Sequence, residues 1–257
     1  MVILALDRPA TDNTGPDLRR WRSTPDRYDL PVTVDAVIFD WGGTLTPWHT
    51  IDGAEQWRVI CEPHYPDDHL DRAAAAHEAE MALWHLARTE HRSATIFGVL
   101  DRAGIEPTKD LIRTYLREWE PHTFTDPEGV AALRQLRKRG IKIGVLSNTM
   151  WPRTWHEEVF RRDGVLDLID GAVYSSEIDW TKPHPEAFLA AMAAVRVSDP
   201  QRCVFVGDRP WDDIYGAQCI GMRTVLVPNS DVPTFADATP DAIIGSLAEL
   251  VPLIESW

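Results

Sequence analysis

DAVIFDWGG, residues 35–43, is the stretch of sequence that decides the fold. Four apolar residues stand in a row before Asp40, and the pair Gly42 and Gly43 follows closely. A short apolar run bounded by turn residues predicts a buried strand, and the glycine pair predicts a tight loop directly after it. The predicted strand therefore delivers an acidic side chain to one edge of a sheet.

Strand and helix patterns alternate from residue 126 onward. The strands are predicted at 141–148, 171–177, 203–208 and 223–228. The helices are predicted at 126–140, 151–162, 185–195 and 212–221, with a last one near 245–255. Strands that alternate with helices form right-handed crossovers and a parallel sheet covered on both faces. The predicted fold class is therefore α/β, with a Rossmann-like core.

Residues 53–120 differ from this core because they contain no strand pattern. Three or four helices are predicted there, including segments at 69–90, 93–104 and 107–119. Gly104 stands just past one predicted helix and Pro107 at the start of the next, as helix capping favours. We predict a flexible arm over 1–33, a core domain over 34–50 and 123–257, and an inserted all-helical cap domain over 51–122. Hinges for cap movement are expected near 46–52 and 120–126.

The overall charge of the chain argues against a nucleic-acid partner. The 257 residues include 26 Lys and Arg against 40 Asp and Glu, a formal net charge of −14. Such a charge repels phosphate backbones, so we expect no nucleic-acid partner. No run approaches the ~18 apolar residues that span a bilayer, and no secretory leader is found, so we expect a cytoplasmic protein without a membrane partner. Three cysteines with no C-x-x-C pair also favour a reducing compartment.

Polar side chains follow three of the predicted strands. Asp40 and Asp208 each come directly after an apolar run, and Ser147 and Asn148 end a third. Ligands bind beyond the carboxyl ends of parallel strands, so these segments are expected to converge on one crevice. Two carboxylates at one point repel each other unless a cation lies between them, and oxygen ligands suit Mg²⁺. Lys182, just before a predicted helix, could offset the remaining negative charge.

These segments resemble the motifs of the haloacid dehalogenase-like hydrolases. Four of them occur in the family's order: FDWGGTL at 39–45, VLSNT at 145–149, KP at 182–183 and VGDRPWDDIYGA at 206–217. The resemblance covers about 34–255, essentially all of the chain but the amino-terminal arm. It implies that the helical block is a cap that closes over the site and selects the substrate.

The resemblance implies covalent catalysis. Asp40 would attack phosphorus and form an aspartyl-phosphate, which divides one difficult step into two easier ones. Ser147, with Asn148 beside it, would bind a phosphoryl oxygen, and Lys182 would bridge the nucleophile and the phosphoryl group. Thr44 would help to fix the loop beside the phosphate.

The resemblance also implies Mg²⁺ as the cofactor. Asp40, the backbone carbonyl of Gly42 and Asp208 would hold the ion, and Asp213 would hold a metal-bound water or Lys182. Asp212 is expected to begin a helix instead. The implied partner is a small phosphorylated substrate, and the exposed cap surface is a candidate homodimer contact.

Gly42 departs from the pattern of the family's phosphatases. They usually carry a second aspartate there, which protonates the leaving alcohol and later activates water. General acid–base catalysis contributes roughly 10²–10⁴-fold, so slow turnover of ordinary sugar phosphates is expected. His49 is the nearest replacement in sequence, although a hinge or surface histidine is the more common interpretation.

Three functions stay open at this point. A phosphatase could act on a substrate with a good leaving group, such as an acyl phosphate. A 2-haloacid dehalogenase needs no acid because halide leaves unprotonated, but those relatives work without metal, and Asp208 and Asp213 are retained. A catalytically inactive binding or regulatory protein would fit Gly42, whereas the intact Asp40 and Lys182 argue against it.

Tryptophans accompany two of these motifs. Trp41 and Trp48 flank the nucleophile loop, and Trp211 lies within the fourth motif. They could line an aromatic substrate pocket, but packing in the core or at the cap interface is the more common role.

Overall fold

The structure is a computed structural model that describes residues 33–230 and 238–257. The arm predicted over 1–33 lies outside the described residues except for its last position. No helix in the described part of the chain combines the length and the apolar character needed to cross a membrane.

A six-stranded parallel sheet forms the centre of the fold. The strands in chain order are β1 (Ala36–Phe39), β2 (Lys142–Ser147), β3 (Gly171–Tyr174), β4 (Cys203–Gly207), β5 (Arg223–Leu226) and β6 (Ala242–Ile243). Their order across the sheet is β3-β2-β1-β4-β5-β6, and every neighbouring pair is parallel. The predicted α/β fold is confirmed, and β6 adds a short edge strand that the sequence did not predict.

The central strand β1 is buried on both faces of the sheet. Val37 and Phe39 belong to the hydrophobic cluster on one face, and Ala36 and Ile38 belong to the cluster on the other. All four side chains are 0% exposed. A strand covered on both faces needs apolar residues at every position, which explains the unbroken run before Asp40.

Helices occupy the connections. Those after β1 are α1 (Gly53–Cys61), α2 (His69–Glu90), α3 (Ile96–Arg102) and α4 (Lys109–Trp119). The core helices are α5 (Pro127–Lys138), α6 (Arg153–Arg162), α7 (Pro185–Val195), α8 (Gly216–Cys219) and α9 (Leu250–Glu255). The segment α1–α4 contains no strand, as predicted, and its status as a separate cap domain stays a prediction.

Several predicted boundaries differ from the structure by a few residues, and two of them have clear local reasons. Residues 175–177 form a 3₁₀ turn instead of extending β3, and the hydroxyl of Ser175 bonds the backbone of Thr149 there. Helix α4 begins at Lys109 and not at Pro107, because Thr108 caps it by accepting a hydrogen bond from the Leu111 amide at 3.2 Å.

The helix predicted at 212–221 also differs. Pro210–Tyr215 form a π-helical turn that continues directly into α8. π-Helical turns are rare, and those that do occur are often found at functional sites.

The segment α1–α4 packs against loops at the carboxyl edge of the sheet. The amide of Ile96 donates to the carbonyl of Met150, just after β2, at 2.8 Å. The amide of Thr181, in the loop between β3 and α7, donates to the carbonyl of His91 at 2.9 Å. These bonds place the inserted helices over the edge where Asp40 lies.

Candidate active site

The ends of β1, β2 and β4 bring their polar residues to one edge of the sheet. Phe39 is in register with Val145 of β2 and with Val206 of β4. Asp40 follows Phe39 directly, and Ser147 and Asp208 lie two residues beyond its partners. Since β1 lies between β2 and β4, the chain reverses its order across the sheet at this point. Such a reversal opens a ligand crevice.

Lys182 joins two acids in this crevice. Its Nζ lies 2.6 Å from Oδ1 of Asp40 and 2.6 Å from Oδ1 of Asp213. The three residues are 2%, 3% and 0% exposed. Burial opposes the charge on Lys182, but the carboxylates of Asp213 and Asp40 outweigh it and raise the pKa of the lysine. The ammonium group is therefore protonated and compensates negative charge at Asp40.

Asn148 fixes the backbone of this lysine. Its Nδ2 donates to the carbonyl of Lys182 at 2.9 Å, and the amide of Lys182 donates to its Oδ1 at 2.8 Å. Both ends of the side-chain amide are thus engaged with protein. The geometry favours a positioning role for Asn148 over the predicted contact with phosphate.

Asp208 is buried with incomplete hydrogen bonding. Thr44 donates its hydroxyl to Oδ1 of Asp208 at 3.3 Å, whereas Oδ2 has no partner among the described residues. Burial, together with the charge of Asp40, raises the pKa of Asp208 well above its usual range. A bare carboxylate in such a place is unstable without a positive charge beside it. The hydrogen bond from Thr44 to Asp208 is consistent with the predicted role of Thr44 in fixing the loop.

Asp213 is held by the π-helical turn. Its Oδ2 accepts a hydrogen bond from the amide of Arg209 at 2.9 Å, while Oδ1 binds Lys182. Burial raises the pKa of Asp213 to about 6, although Lys182 opposes this shift. Asp212 points elsewhere and pairs with the Arg209 guanidinium at 3.5 Å. Of the two acids in the turn, Asp213 contacts Lys182 and Asp212 does not.

The arrangement fits a hard cation. Ligand atoms of Asp40, Asp208 and Asp213 lie within 4.8 Å of one another, and no other such group of His, Cys, Asp or Glu occurs within 33–230 and 238–257. The free Oδ2 of Asp208 supplies an uncommitted ligand atom. Oxygen donors in this number suit Mg²⁺ better than a soft metal.

The buried hydroxyl of Ser147 is available to donate a hydrogen bond to an oxyanion. It is 0% exposed, and its hydroxyl has no hydrogen-bond partner among the described residues. A buried hydroxyl without a partner costs stability, so its retention points to a ligand that completes it.

The loop after β5 contributes two contacts that the sequence did not signal. Asn229 donates its Nδ2 to the carbonyl of Gly43 at 3.0 Å, and Ser230 donates its hydroxyl to the carbonyl of Asp208 at 3.0 Å. Both bonds reach backbone atoms of the site from a segment with no motif. They tie the nucleophile loop and the end of β4 to a third segment.

A pocket borders the nucleophile loop on the side of the inserted helices. Its walls include Gly42, Trp41, Trp48, Trp119, His49 and His122. Nδ1 of His49 lies 2.8 Å from Nδ1 of His122. Trp41 is buried, and Trp48 also carries the Arg209 guanidinium over its ring at 5.6 Å. The sequence indicated His49 as a candidate replacement for the missing acid. It gave no signal for His122, although His122 falls within a predicted hinge.

Comparison with known proteins now assigns the family. Residues 34–221 match the family model for haloacid dehalogenase-like hydrolases. The chain belongs to the haloacid dehalogenase-like hydrolases. The predicted family and the predicted hydrolase class are thereby confirmed.

Curated relatives of this haloacid dehalogenase-like hydrolase include two phosphatases. A phosphoserine phosphatase of Thermus thermophilus is 29% identical over 190 residues, 69% of this chain and 75% of the relative. A glyceraldehyde 3-phosphate phosphatase of Methanopyrus kandleri is 29% identical over 167 residues, 59% of this chain and 70% of the relative.

Solved structures of haloacid dehalogenase-like proteins share the fold. A phosphatase of this family from Thermococcus onnurineus has a TM-score of 0.64 at 23% identity, covering 86% of this chain and 98% of that one. A 2-haloacid dehalogenase from Pseudomonas syringae has a TM-score of 0.65 at 24% identity, covering 88% and 100%. At such identities the likeness concerns the fold alone, and both chemistries occur on it.

Proposed function

We propose that this protein is a Mg²⁺-dependent phosphohydrolase that acts on a small phosphorylated metabolite through an aspartyl-phosphate at Asp40. One observation carries the proposal. The buried ammonium of Lys182 bridges Asp40 and Asp213, and beside them Asp208 keeps an unpartnered oxygen. A site with this surplus of negative charge suits a cation and, with it, an anionic substrate. The phosphatase names of the two curated relatives support the same class of reaction.

Several side chains have distinct roles in the first step, the attack of Asp40 on phosphorus. Lys182 holds Oδ1 of Asp40, which leaves Oδ2 to attack phosphorus. The same ammonium group lies close enough to stabilise charge on a transferring phosphoryl oxygen. The unpartnered hydroxyl of Ser147 would donate to a second phosphoryl oxygen. Asn148 and Thr44 keep Lys182 and Asp208 in place.

The metal would complete this arrangement. Asp40, Asp208 and the carbonyl of Gly42 would hold Mg²⁺, with Asp213 binding Lys182 or a metal-bound water. When bound, the ion supplies positive charge that offsets the phosphoryl oxygens and screens the carboxylates from one another. This charge adds to that of Lys182, which hydrogen-bonds two of the three acids.

The preferred substrates follow from Gly42. With no carboxylic acid two residues after Asp40, the nucleophile loop offers no side-chain proton for a departing alkoxide. Acyl phosphates and aryl phosphates with acidic leaving groups need no such proton. We therefore expect them to be turned over faster than sugar phosphates.

The test is hydrolysis of p-nitrophenyl phosphate and acetyl phosphate by the purified protein, with Mg²⁺ and with EDTA. We expect turnover that requires Mg²⁺ and that disappears in the Asp40→Asn variant. Asp101→Asn, which changes an exposed carboxylate on α3, is the matched control and should keep full activity.

Three results would overturn the proposal. Full activity in Asp40→Asn would remove Asp40 from the mechanism. No turnover of either phosphate, with release of chloride from 2-chloropropionate, would assign the dehalogenase reaction that Gly42 also permits. Absence of all three reactions would favour the non-catalytic alternative.

A further inference from the structure

We propose that His49 and His122 act together as the proton-transfer group of the reaction, in place of the acid that Gly42 lacks. The inference rests on the proposed phosphohydrolase function and extends it to substrates whose leaving oxygen needs a proton. It assigns a catalytic role to two histidines that lie outside the family motifs.

The first observation is the bond between the two rings. Their Nδ1 atoms are 2.8 Å apart, with ring centroids at 4.9 Å and planes inclined by 75°. At this distance one Nδ1 must carry a hydrogen and the other must accept it. The pair can take up one further proton and keep this bond, with one ring as imidazolium and its neighbour as acceptor. It therefore exchanges a single proton without changing its geometry.

The second observation is where the pair lies. His49 and His122 line the same pocket as Gly42, the position at which the acid is missing. Trp48, in the same wall, contacts the guanidinium of Arg209, the residue after Asp208. The pocket thus adjoins the site at the nucleophile loop and at the end of β4.

The third observation is the position of the pair relative to the helices α1–α4. In an in-line displacement the leaving oxygen departs on the face of phosphorus away from Asp40. His49 precedes α1 and His122 follows α4, so the pair stands where the inserted helices meet the core. Those helices cover the carboxyl edge of the sheet, and the leaving group therefore departs toward them.

The surroundings of His49 and His122 allow the pair to take up and release a proton. His49 is exposed and can exchange protons with solvent, whereas His122 is half-buried against Trp119, with ring centroids 6.2 Å apart. Burial, and then the neighbouring His49, lower the pKa of His122, which disfavours a doubly protonated pair. Within 33–230 and 238–257, no carboxylate is hydrogen-bonded to either ring.

The chemistry balances over two steps. In the first, Asp40 bonds to phosphorus, the bond from phosphorus to the leaving oxygen breaks, and the protonated pair gives its proton to that oxygen. In the second, water attacks the phosphorus of the aspartyl-phosphate and gives a proton to the now neutral pair. The bond from phosphorus to Asp40 then breaks, its electrons return to the carboxylate, and inorganic phosphate leaves.

The experiment measures leaving-group release in a single turnover with Mg²⁺, for wild type, His49→Gln and His122→Gln. Phenyl phosphate and p-nitrophenyl phosphate differ in how much their leaving oxygen needs a proton. We expect p-nitrophenolate release to change by less than about 3-fold and phenol release to fall by about 10²-fold in both variants. His85→Gln, which changes an exposed histidine on α2, should match wild type with both substrates.

A second measurement separates catalysis from support of the fold. Because His49 is exposed, added imidazole can enter the space that His49→Ala leaves. We expect imidazole to restore phenol release in His49→Ala and to have no effect on wild type. A purely structural role would give no such rescue.

The outcomes are distinct. An equal loss with both substrates, or no loss with phenyl phosphate, would overturn the role of the pair while leaving the phosphohydrolase intact. Hydrolysis of p-nitrophenyl phosphate alone by wild type would also overturn that role. No turnover of either substrate by wild type would instead overturn the proposed function, and the assignment of the pair with it.

Discussion

A Cβ atom added to Gly43 would lie 2.6 Å from Oδ2 of Asp208. Gly43 has a φ of +87°, a conformation that a residue with a side chain adopts only under strain. The nucleophile loop can therefore approach the carboxylate that follows β4 only because position 43 has no side chain. The close approach to Asp208 explains why position 43 must be glycine. The turn alone would not explain it.

We predict that Gly43→Ala destabilises the protein and displaces Asp208. Strain at positive φ together with the clash should cost about 1–3 kcal/mol of unfolding free energy. Urea denaturation measures this, and Gly140→Ala is the matched control, since Gly140 has a φ of +73° and nothing within 4 Å of an added Cβ. A loss no larger than that of the control would mean that the contact with Asp208 carries no constraint.

We predict that Lys182→Met is strongly destabilising as well as inactive. The substitution leaves Asp40 and Asp213 buried without a cation, and breaking a buried ion pair from one side costs about 3–5 kcal/mol. Urea denaturation of Lys182→Met and of Lys182→Met combined with Asp213→Asn should show that the second change recovers part of the loss. No recovery would argue that the bridge between the two acids is not what stabilises the fold.

We predict that Mg²⁺ raises the melting temperature of the wild type and leaves Asp208→Asn unchanged. A ligand at ten times its Kd stabilises a folded protein by about 1.4 kcal/mol, enough to detect in a thermal scan. The Asn side chain has nearly the same shape but lacks the charge that attracts the ion. Equal shifts in the two proteins would place Mg²⁺ at some other position.

We predict that Gly42→Asp raises the turnover of poor leaving groups. Gly42 is not among the described glycines with positive φ, so its backbone accepts a side chain without the strain found at Gly43. In the His122→Gln variant, which lacks the proposed histidine pair, a carboxylic acid placed here should accelerate hydrolysis of alkyl phosphates by up to about 10²-fold, with little effect on acetyl phosphate. An equal change for both substrates would contradict a role as proton donor.

We predict a loss of stability at acid pH that arises from His156. Its ring is 0% exposed, stacks on Tyr174 at 4.3 Å and hydrogen-bonds Thr149, and burial lowers its pKa to about 3. The unfolded chain binds a proton near pH 6.5 that the folded protein takes up only near pH 3, so stability falls as the pH drops through this window. At about pH 5 the loss from this residue is about 2 kcal/mol relative to neutral pH.

The measurement for His156 is urea denaturation at neutral and acid pH. His156→Gln keeps a hydrogen-bonding group but does not titrate, so its stability should fall less on acidification than that of the wild type. The exposed His85→Gln variant should retain the full dependence on pH. An unchanged pH dependence in His156→Gln would instead attribute the loss to acids whose pKa the fold lowers, such as Asp163 and Asp170.

The sequence predicted the sheet and the position of Asp40 and Asp208 at its carboxyl edge, because both depend on local patterns. Asp40 and Asp208 each follow an apolar run, and register in a parallel sheet then brings strand ends together without further information. Lys182 and Asp213 were identified through motifs, and the structure places them in direct contact with each other. Their roles in catalysis remain predictions that the variants above address.

The remaining features depend on contacts that no local pattern encodes. His49 and His122 are 73 positions apart in the chain, and Asn229 reaches Gly43 across 186. Residues 212–215 of the π-helical turn were predicted as ordinary helix, because a single extra residue per turn leaves the apolar pattern almost unchanged. Within this turn, Asp213 contacts both Lys182 and the Arg209 amide.

The contact between His49 and His122 also has a consequence for how such a chain can change over generations. It brings the start and the end of the segment that carries α1–α4 into direct contact. An insertion whose ends already meet imposes little loop-closure entropy on its host, so its length and sequence can vary widely. If α1–α4 are the substrate-selecting cap that the sequence predicts, new substrate ranges could arise by replacement of this segment as a unit while Asp40, Lys182, Asp208 and Asp213 stay unaltered.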